Sequence, residues 1–220
     1  MTVTEDDESL VAQVYTVLRE GIIHGEYAPG SRLRERNLAV DLAASRIPVR
    51  EALVQLEADG FVVTYPRRGA VVRQLTLRDI EELFDLRLSL EVFAARQAAR
   101  AIAQGADPRP LQDGLAAADA ATAAQDEDAI AVTNAALHEL IVATTGNSLL
   151  RDIMRPISGR TQWLFRLTSD RDPGDQQHEH HELFAAILQG DVEMAGAIAY
   201  AHIERGRRPS LASLQGRLPA

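Results

Sequence analysis

The sequence predicts a mainly α-helical protein in two parts, and three observations carry that prediction. Up to residue 75, three amphipathic stretches are followed by two β-rich runs, FVVTY and AVVRQL, on either side of the turn PRRG. From Thr76 onward the β signal disappears, and long Ala/Leu-rich segments follow, separated by GADPRP, TTGNS, SDRDPGD and QGD. The third observation is scale: 220 residues with 46% hydrophobic and 25% charged side chains suffice for two modest domains with their own cores.

From Leu10 to His24, apolar residues at 10, 14, 17, 18, 22 and 23 recur at helical spacing, and Gly25 ends the run. After the turn EYAPGSRL, a short second helix is expected from about Arg34 to Ala43, with Leu38 and Leu42 on one side. Ser45 can cap a third helix reaching about Asp59, and Pro48 fits the first turn, where its missing N–H has no intrahelical partner. Val49, Leu53 and Leu56 form the buried stripe of that helix, and Gly60 stops it. Three helices and then a hairpin is the order of a winged helix-turn-helix, expected over residues 1–75. An all-α six-helix bundle is expected over 76–209, with helices at 77–104, 109–125, 128–144, 147–168, 175–189 and 191–207. Residues 210–220 read as a frayed tail. The boundary near Leu75–Thr76 has no flexible linker, so tilting of the first long helix would move the N-terminal part.

Composition removes several function classes. The chain has no cysteine, which excludes disulfides, thiolate metal sites and cysteine nucleophiles. All 23 cationic residues are arginine, which removes Schiff-base lysines and the P-loop lysine together. No stretch approaches a membrane span, and the acidic start MTVTEDDESL is the opposite of a basic signal sequence, so the expected compartment is the cytoplasm. The net charge of −9 hides an asymmetry: residues 30–75 hold eight Arg against five acids, whereas 76–220 hold 14 Arg against 21. A locally basic module on an acidic body can be steered onto phosphate by one face.

The third helix is the element that enters the major groove in a helix-turn-helix, which directs attention to the residues around Ser45. Arg46 and Arg50 lie four apart, opposite the Val49/Leu53/Leu56 stripe, and each guanidinium can take guanine or phosphate in a bidentate contact. Arg36 on the preceding helix and Arg67 and Arg68 at the hairpin tip extend the cationic surface toward flanking phosphates. In the second part, His138, His180 and His202 fall at inward-capable places on three different helices, and Asn134 lies one turn before His138. Three imidazoles and one amide oxygen are a reasonable shell for a divalent transition metal such as zinc or nickel. His178 and His181 flank His180, and one helical step would exchange the ligand. Arg87 is a candidate to clamp an effector carboxylate, and Glu91, one turn on, is equally placed to pair with it.

The stretch PGSRLRERNLAVDLAASRIPVREALVQLEADGFVVTYPRRGAVV, and within it SRIPVREAL, resembles the DNA-binding signature of the GntR family of bacterial regulators, in its FadR-like subgroup with an FCD-type C-terminal domain. The resemblance implies operator contacts from Arg36, Ser45, Arg46 and Arg50 and a wing-tip glycine at Gly69. Ile47 stands where threonine is more usual in that family. It also implies a metal site, since the segments around His138, HHELFAAILQGD and His202 resemble the family's ligand landmarks, with Asn134 in place of aspartate. The resemblance favours His180 through its spacing to Asp191.

The expected function is therefore a homodimeric transcriptional regulator, most simply a repressor. It would bind a pseudo-palindromic operator and respond to a small organic acid held on the metal. Two alternatives use the same histidines: a metalloregulator sensing the ion itself, or a metal-dependent hydrolase or lyase. The enzyme reading is weak, because HELIV at 138 and HELFA at 181 begin like HExxH but lack its second histidine.

Overall fold

The computed structural model describes residues 9–65, 69–168 and 172–218. The chain divides into two compact units, Met1–Leu75 and Thr76–Ala220.

In the first unit, α1 (Leu10–Ile23), β1 (Arg32–Leu33), α2 (Glu35–Asp41), α3 (Arg46–Ala58), β2 (Val62–Tyr65) and β3 (Gly69–Val72) follow in order. Val14, Leu18 and Ile22 of α1 and Val49, Leu53 and Leu56 of α3 are buried, with α1 packed on α3. The antiparallel sheet has the order β1-β3-β2, and β2 pairs with β3 from Val62↔Val72 to Tyr65↔Gly69. The two-residue β1 was not expected, because a strand that short has no alternation to detect. Only its pairing of Arg32 with Val71 and Leu33 with Ala70 defines it. The hairpin tip with Arg67 and Arg68 lies outside the described residues.

Two glycines set this geometry. Gly60, at φ +79°, closes α3: its N–H donates to the Glu57 carbonyl and that of Phe61 to the Leu56 carbonyl, the bonding of a Schellman motif. At Gly69, also φ +79°, a Cβ would stand 2.8 Å from the Leu33 carbonyl oxygen, so only glycine lets β3 approach β1 there.

The second unit contains α4 (Leu77–Ala103), α5 (Arg109–Ala124), α6 (Glu127–Thr144), α7 (Ser148–Leu167), α8 (Pro173–Leu188) and α9 (Val192–Leu214). A capping box starts α4, with the Asp79 N–H donating to Thr76 Oγ1 at 3.1 Å and the Thr76 N–H to Asp79 Oδ2 at 2.8 Å. Helix α4 packs against α6, α7, α8 and α9 and is the centre of the unit. Its Ala94, Ala95, Ala98 and Ala99 are buried, as are Ala195, Gly196 and Ala199 of α9, and these small side chains let the two helices approach closely. Among the described residues no helix is long and apolar enough to cross a membrane.

The expected frayed tail at 210–220 is corrected: α9 continues through Pro209 to Leu214, and Ser210 and Leu214 are buried. An internal proline such as Pro209 costs a helix about 3 kcal/mol. Full burial of one leucine contributes about 1.5–3 kcal/mol, enough to offset most of that cost. Leu214→Ala should therefore lower unfolding stability by about 2–5 kcal/mol in urea titration. A change within about 0.5 kcal/mol, as for an exposed position, would return the segment to a frayed tail.

Candidate nucleic-acid interface and metal centre

Ser45 holds the N-cap position of α3 with extended backbone, and its hydroxyl makes no capping hydrogen bond. Arg46 and Arg50 follow one turn apart, with side chains 64% and 60% exposed; they do not lie opposite the buried stripe as expected but flank it, and Leu53, seven residues after Arg46, lines the same groove as both. Ile47 is exposed beside them. With Arg32, Arg34, Arg36, Tyr65 and Gly69 they line one open groove, in which, among the described residues, five guanidinium groups meet one carboxylate, Glu35. Such an excess of positive charge around the first turn of an exposed helix is the footprint of a phosphate-backbone surface.

Glu35 is the residue that sequence reasoning missed. From the first turn of α2 it accepts from Arg50 Nε at 3.1 Å and Nη2 at 2.9 Å, and from Arg46 Nη2 at 3.2 Å. The Arg50 hydrogen bond is the main reason its carboxyl titrates below its ordinary value. One carboxylate thus holds both guanidinium groups of α3 in a common orientation. Arg32 and Arg34 were visible in the sequence as charges, but only β1 brings them to this face.

In the second unit, α6, α8 and α9 bring His138, His180 and His202 together. Their ligand nitrogens all lie within 4.8 Å of one another, and their ring centroids are 4.8–5.5 Å apart. His180 and His202 are buried, and His138 is nearly so. The two neighbours of His180 point elsewhere: His178 is exposed beside Glu182, and His181 meets Asp119 at 2.8 Å. Asn134, one turn before His138, donates through Nδ2 to Gln176 Oε1 at 3.3 Å, so its Oδ1 is the acceptor end of the amide.

Two carboxylates stand behind the imidazoles. His138 Nδ1 is 2.9 Å from Glu91 Oε2, and His202 Nδ1 is 2.8 Å from Glu179 Oε2. Burial pushes the His202 imidazole down to about 4, against the hydrogen bond to Glu179, so near neutral pH it is the uncharged form, donating Nδ1–H to the carboxylate. A neutral imidazole with Nδ1–H engaged presents Nε2 as a lone-pair donor, the state a metal requires. The donor set therefore fits a divalent transition metal: three imidazoles on separate helices, two of them oriented by carboxylates.

Arg87 adopts the second of its two expected roles. It is 1% exposed and closed on Glu91, with Nε 2.6 Å from Oε1 and Nη2 3.3 Å from Oε2. Phe84 and Phe165 pack near its guanidinium, at 5.3 and 5.2 Å from the ring centroids. Burial alone would raise the Glu91 carboxyl, but Arg87 and His138 outweigh it and hold Glu91 ionised. Beside this chain of charges is a small cavity walled by Ala94, Ala95, Ala199 and Ile203 and opening on His138 and His202.

Two family models match the chain: bacterial regulatory proteins of the gntR family over residues 10–72, and the FCD domain over 82–205. The uncharacterised HTH-type transcriptional regulator YdhC of Bacillus subtilis is 28% identical over 196 residues, 86% of each chain. The HTH-type transcriptional repressor GlaR of Escherichia coli is 29% identical over 203 residues, covering 86% of this chain and 90% of that one. A crystal structure of a GntR regulator from Rhodococcus sp. RHA1, 27% identical, superposes with a TM-score of 0.77 over 93% of this chain and 99% of the other.

The buried pair on α4 makes a stability prediction. Arg87→Met, which strands Glu91, should cost about 3–5 kcal/mol in chemical denaturation. Adding Glu91→Gln should recover much of that loss. Equal stability of Arg87→Met and the parent protein would show that Glu91 carries no buried charge that depends on Arg87.

Proposed function

This chain belongs to the GntR family of bacterial regulatory proteins and carries an FCD domain, and from that premise we propose that it is a homodimeric, metal-dependent repressor released or engaged by a small carboxylate. It is a transcriptional regulator, in keeping with its family and with the names of its relatives. The observation that carries the DNA half is the exposed Arg46/Arg50 pair at the start of α3, ordered by Glu35. In this reading Arg36, Ser45, Arg46, Arg50 and Gly69 contact a pseudo-palindromic operator, two recognition helices of a dimer serving its half-sites. Ile47 offers a methyl surface to thymine in place of a hydroxyl.

His138, His180, His202 and the Asn134 oxygen would hold zinc or nickel, which when bound supplies a Lewis-acid position for an effector carboxylate. The reading is supported by the clustering of the three imidazoles and by the carboxylates on the Nδ1 atoms of His138 and His202. Arg87, closed on Glu91, serves the centre by fixing that carboxylate rather than by touching the effector. The effector acts by its differential affinity for two conformations of the dimer, which α4, starting directly after the first unit, connects to the DNA reader. The alternative in which the metal is itself the signal is less favoured, because three imidazoles and an amide discriminate little between metals.

An operator selected from a random duplex pool gives the test. Arg46→Ala and Arg50→Ala should each weaken binding about 5- to 150-fold in fluorescence anisotropy. Unchanged affinity in both would remove α3 as the reading helix. Glu35→Gln should raise non-specific affinity while lowering the ratio of operator to random-sequence binding, because the arginines lose their common orientation. An unchanged ratio would mean that Glu35 only balances charge.

A further inference from the structure

The arginines of the groove are of two kinds. Arg46 and Arg50 are held by Glu35, through hydrogen bonds of 3.2, 3.1 and 2.9 Å. Arg32 and Arg34 line the same groove and are exposed, and among the described residues neither guanidinium has a hydrogen bond or an ion pair. Both belong to β1 and its extension. Leu33 between them is buried, and Arg34 keeps an extended backbone at φ −94° and ψ 118°, so the two arginines leave the chain on one side. Two residues of strand separate them by about 6.6 Å, close to the spacing of successive phosphates along one DNA strand. The pairing of Arg32 with Val71 and Leu33 with Ala70, and the close approach of Gly69 to the Leu33 carbonyl, fix that strand at the base of the hairpin.

Arg34 is also poorly suited to its place in the fold. It holds the N-cap position of α2, where serine, threonine, aspartate or asparagine would accept a hydrogen bond from the first turn, and its side chain makes none. A cation there also meets the positive end of the helix dipole. The residue thus weakens the helix it begins, which places the use of its charge outside folding. Phosphate contacts need charge within reach and carry no sequence information, whereas base readout needs guanidinium groups held in register. We propose that β1 is a phosphate-gripping strand, in which Arg32 and Arg34 hold the duplex backbone beside each half-site while α3 reads its bases. The proposal rests on the DNA-binding reading above and adds a contact that neither the recognition helix nor the hairpin tip makes.

The test is fluorescence anisotropy of the full chain on its selected operator and on a random-sequence duplex of the same length, over a series of salt concentrations, with a thermal melt of each variant. Arg32→Gln and Arg34→Ser should each weaken binding to both duplexes by the same factor, so that the ratio stays that of the parent. Each contact removed should flatten the slope of log affinity against log salt by about 0.9. Arg34→Ser should at the same time raise the melting temperature, because serine caps α2. A slope unchanged in the double variant would overturn the proposal and leave the two arginines as guards of the exposed sheet edge. A lowered ratio of operator to random-sequence binding would overturn it by making them base readers. A lower melting temperature for Arg34→Ser would overturn the assignment of Arg34, since that residue would then serve the fold. Should Arg34→Ser fail to fold, the slope of Arg32→Gln decides alone. A folded parent that binds neither duplex would instead overturn the DNA-binding reading on which this inference rests.

Discussion

The helical unit depends on keeping one carboxylate ionised out of water. Glu91 lies inside the bundle, where an isolated anion would be neutralised or expelled. Arg87 one turn earlier on the same helix and His138 on α6 both bond to it, so a shift of α4 against α6 would break the His138 contact while Arg87 moved with its partner. That constraint fixes which face of α6 points inward, and hence where His138 stands relative to His180 and His202. Breaking such a pair costs more than the pair itself contributes, because the orphaned partner stays buried. The specificity of the arrangement therefore comes from its interdependence: α4 holds Glu91, Glu91 orients His138, and α8 orients His202 through Glu179.

The DNA-binding unit uses charge in the opposite regime. Its arginines are exposed, and their pairing with Glu35 is screened and weak in energy. What the pairing supplies is orientation, since two long side chains that would otherwise sample many rotamers share one acceptor. A local excess of arginine within a chain of net charge −9 confines the attraction for phosphate to this face. The acidic remainder limits non-specific adhesion elsewhere on the molecule.

Much of this was legible in the sequence, for definable reasons. Helical periodicity with strong stops such as Gly60 marks elements whose boundaries are set locally, and the winged helix-turn-helix followed by a helical bundle is the fold observed. The grouping of His138, His180 and His202 was approachable because six histidines are few enough to place singly. Glu35 and Glu179 escaped as site residues, and so did the link of Glu91 to His138, because those partners are 11 to 47 residues away and an acidic residue on a helix ordinarily faces solvent. β1 escaped because two residues carry no period, and the end of α9 because burial of Leu214 is a tertiary feature that extends the helix past Pro209.

The central claim is that three imidazoles from three helices hold one divalent ion. X-ray absorption at the zinc edge, recorded on full-length protein loaded with one equivalent of zinc, addresses it without reference to DNA or effector. The account predicts a first shell of nitrogen and oxygen only, at about 2.0–2.2 Å, with outer-shell scattering from three imidazoles that falls to two in His202→Ala. Scattering from fewer than three imidazoles in the parent protein, or a spectrum unchanged by His202→Ala, would contradict it.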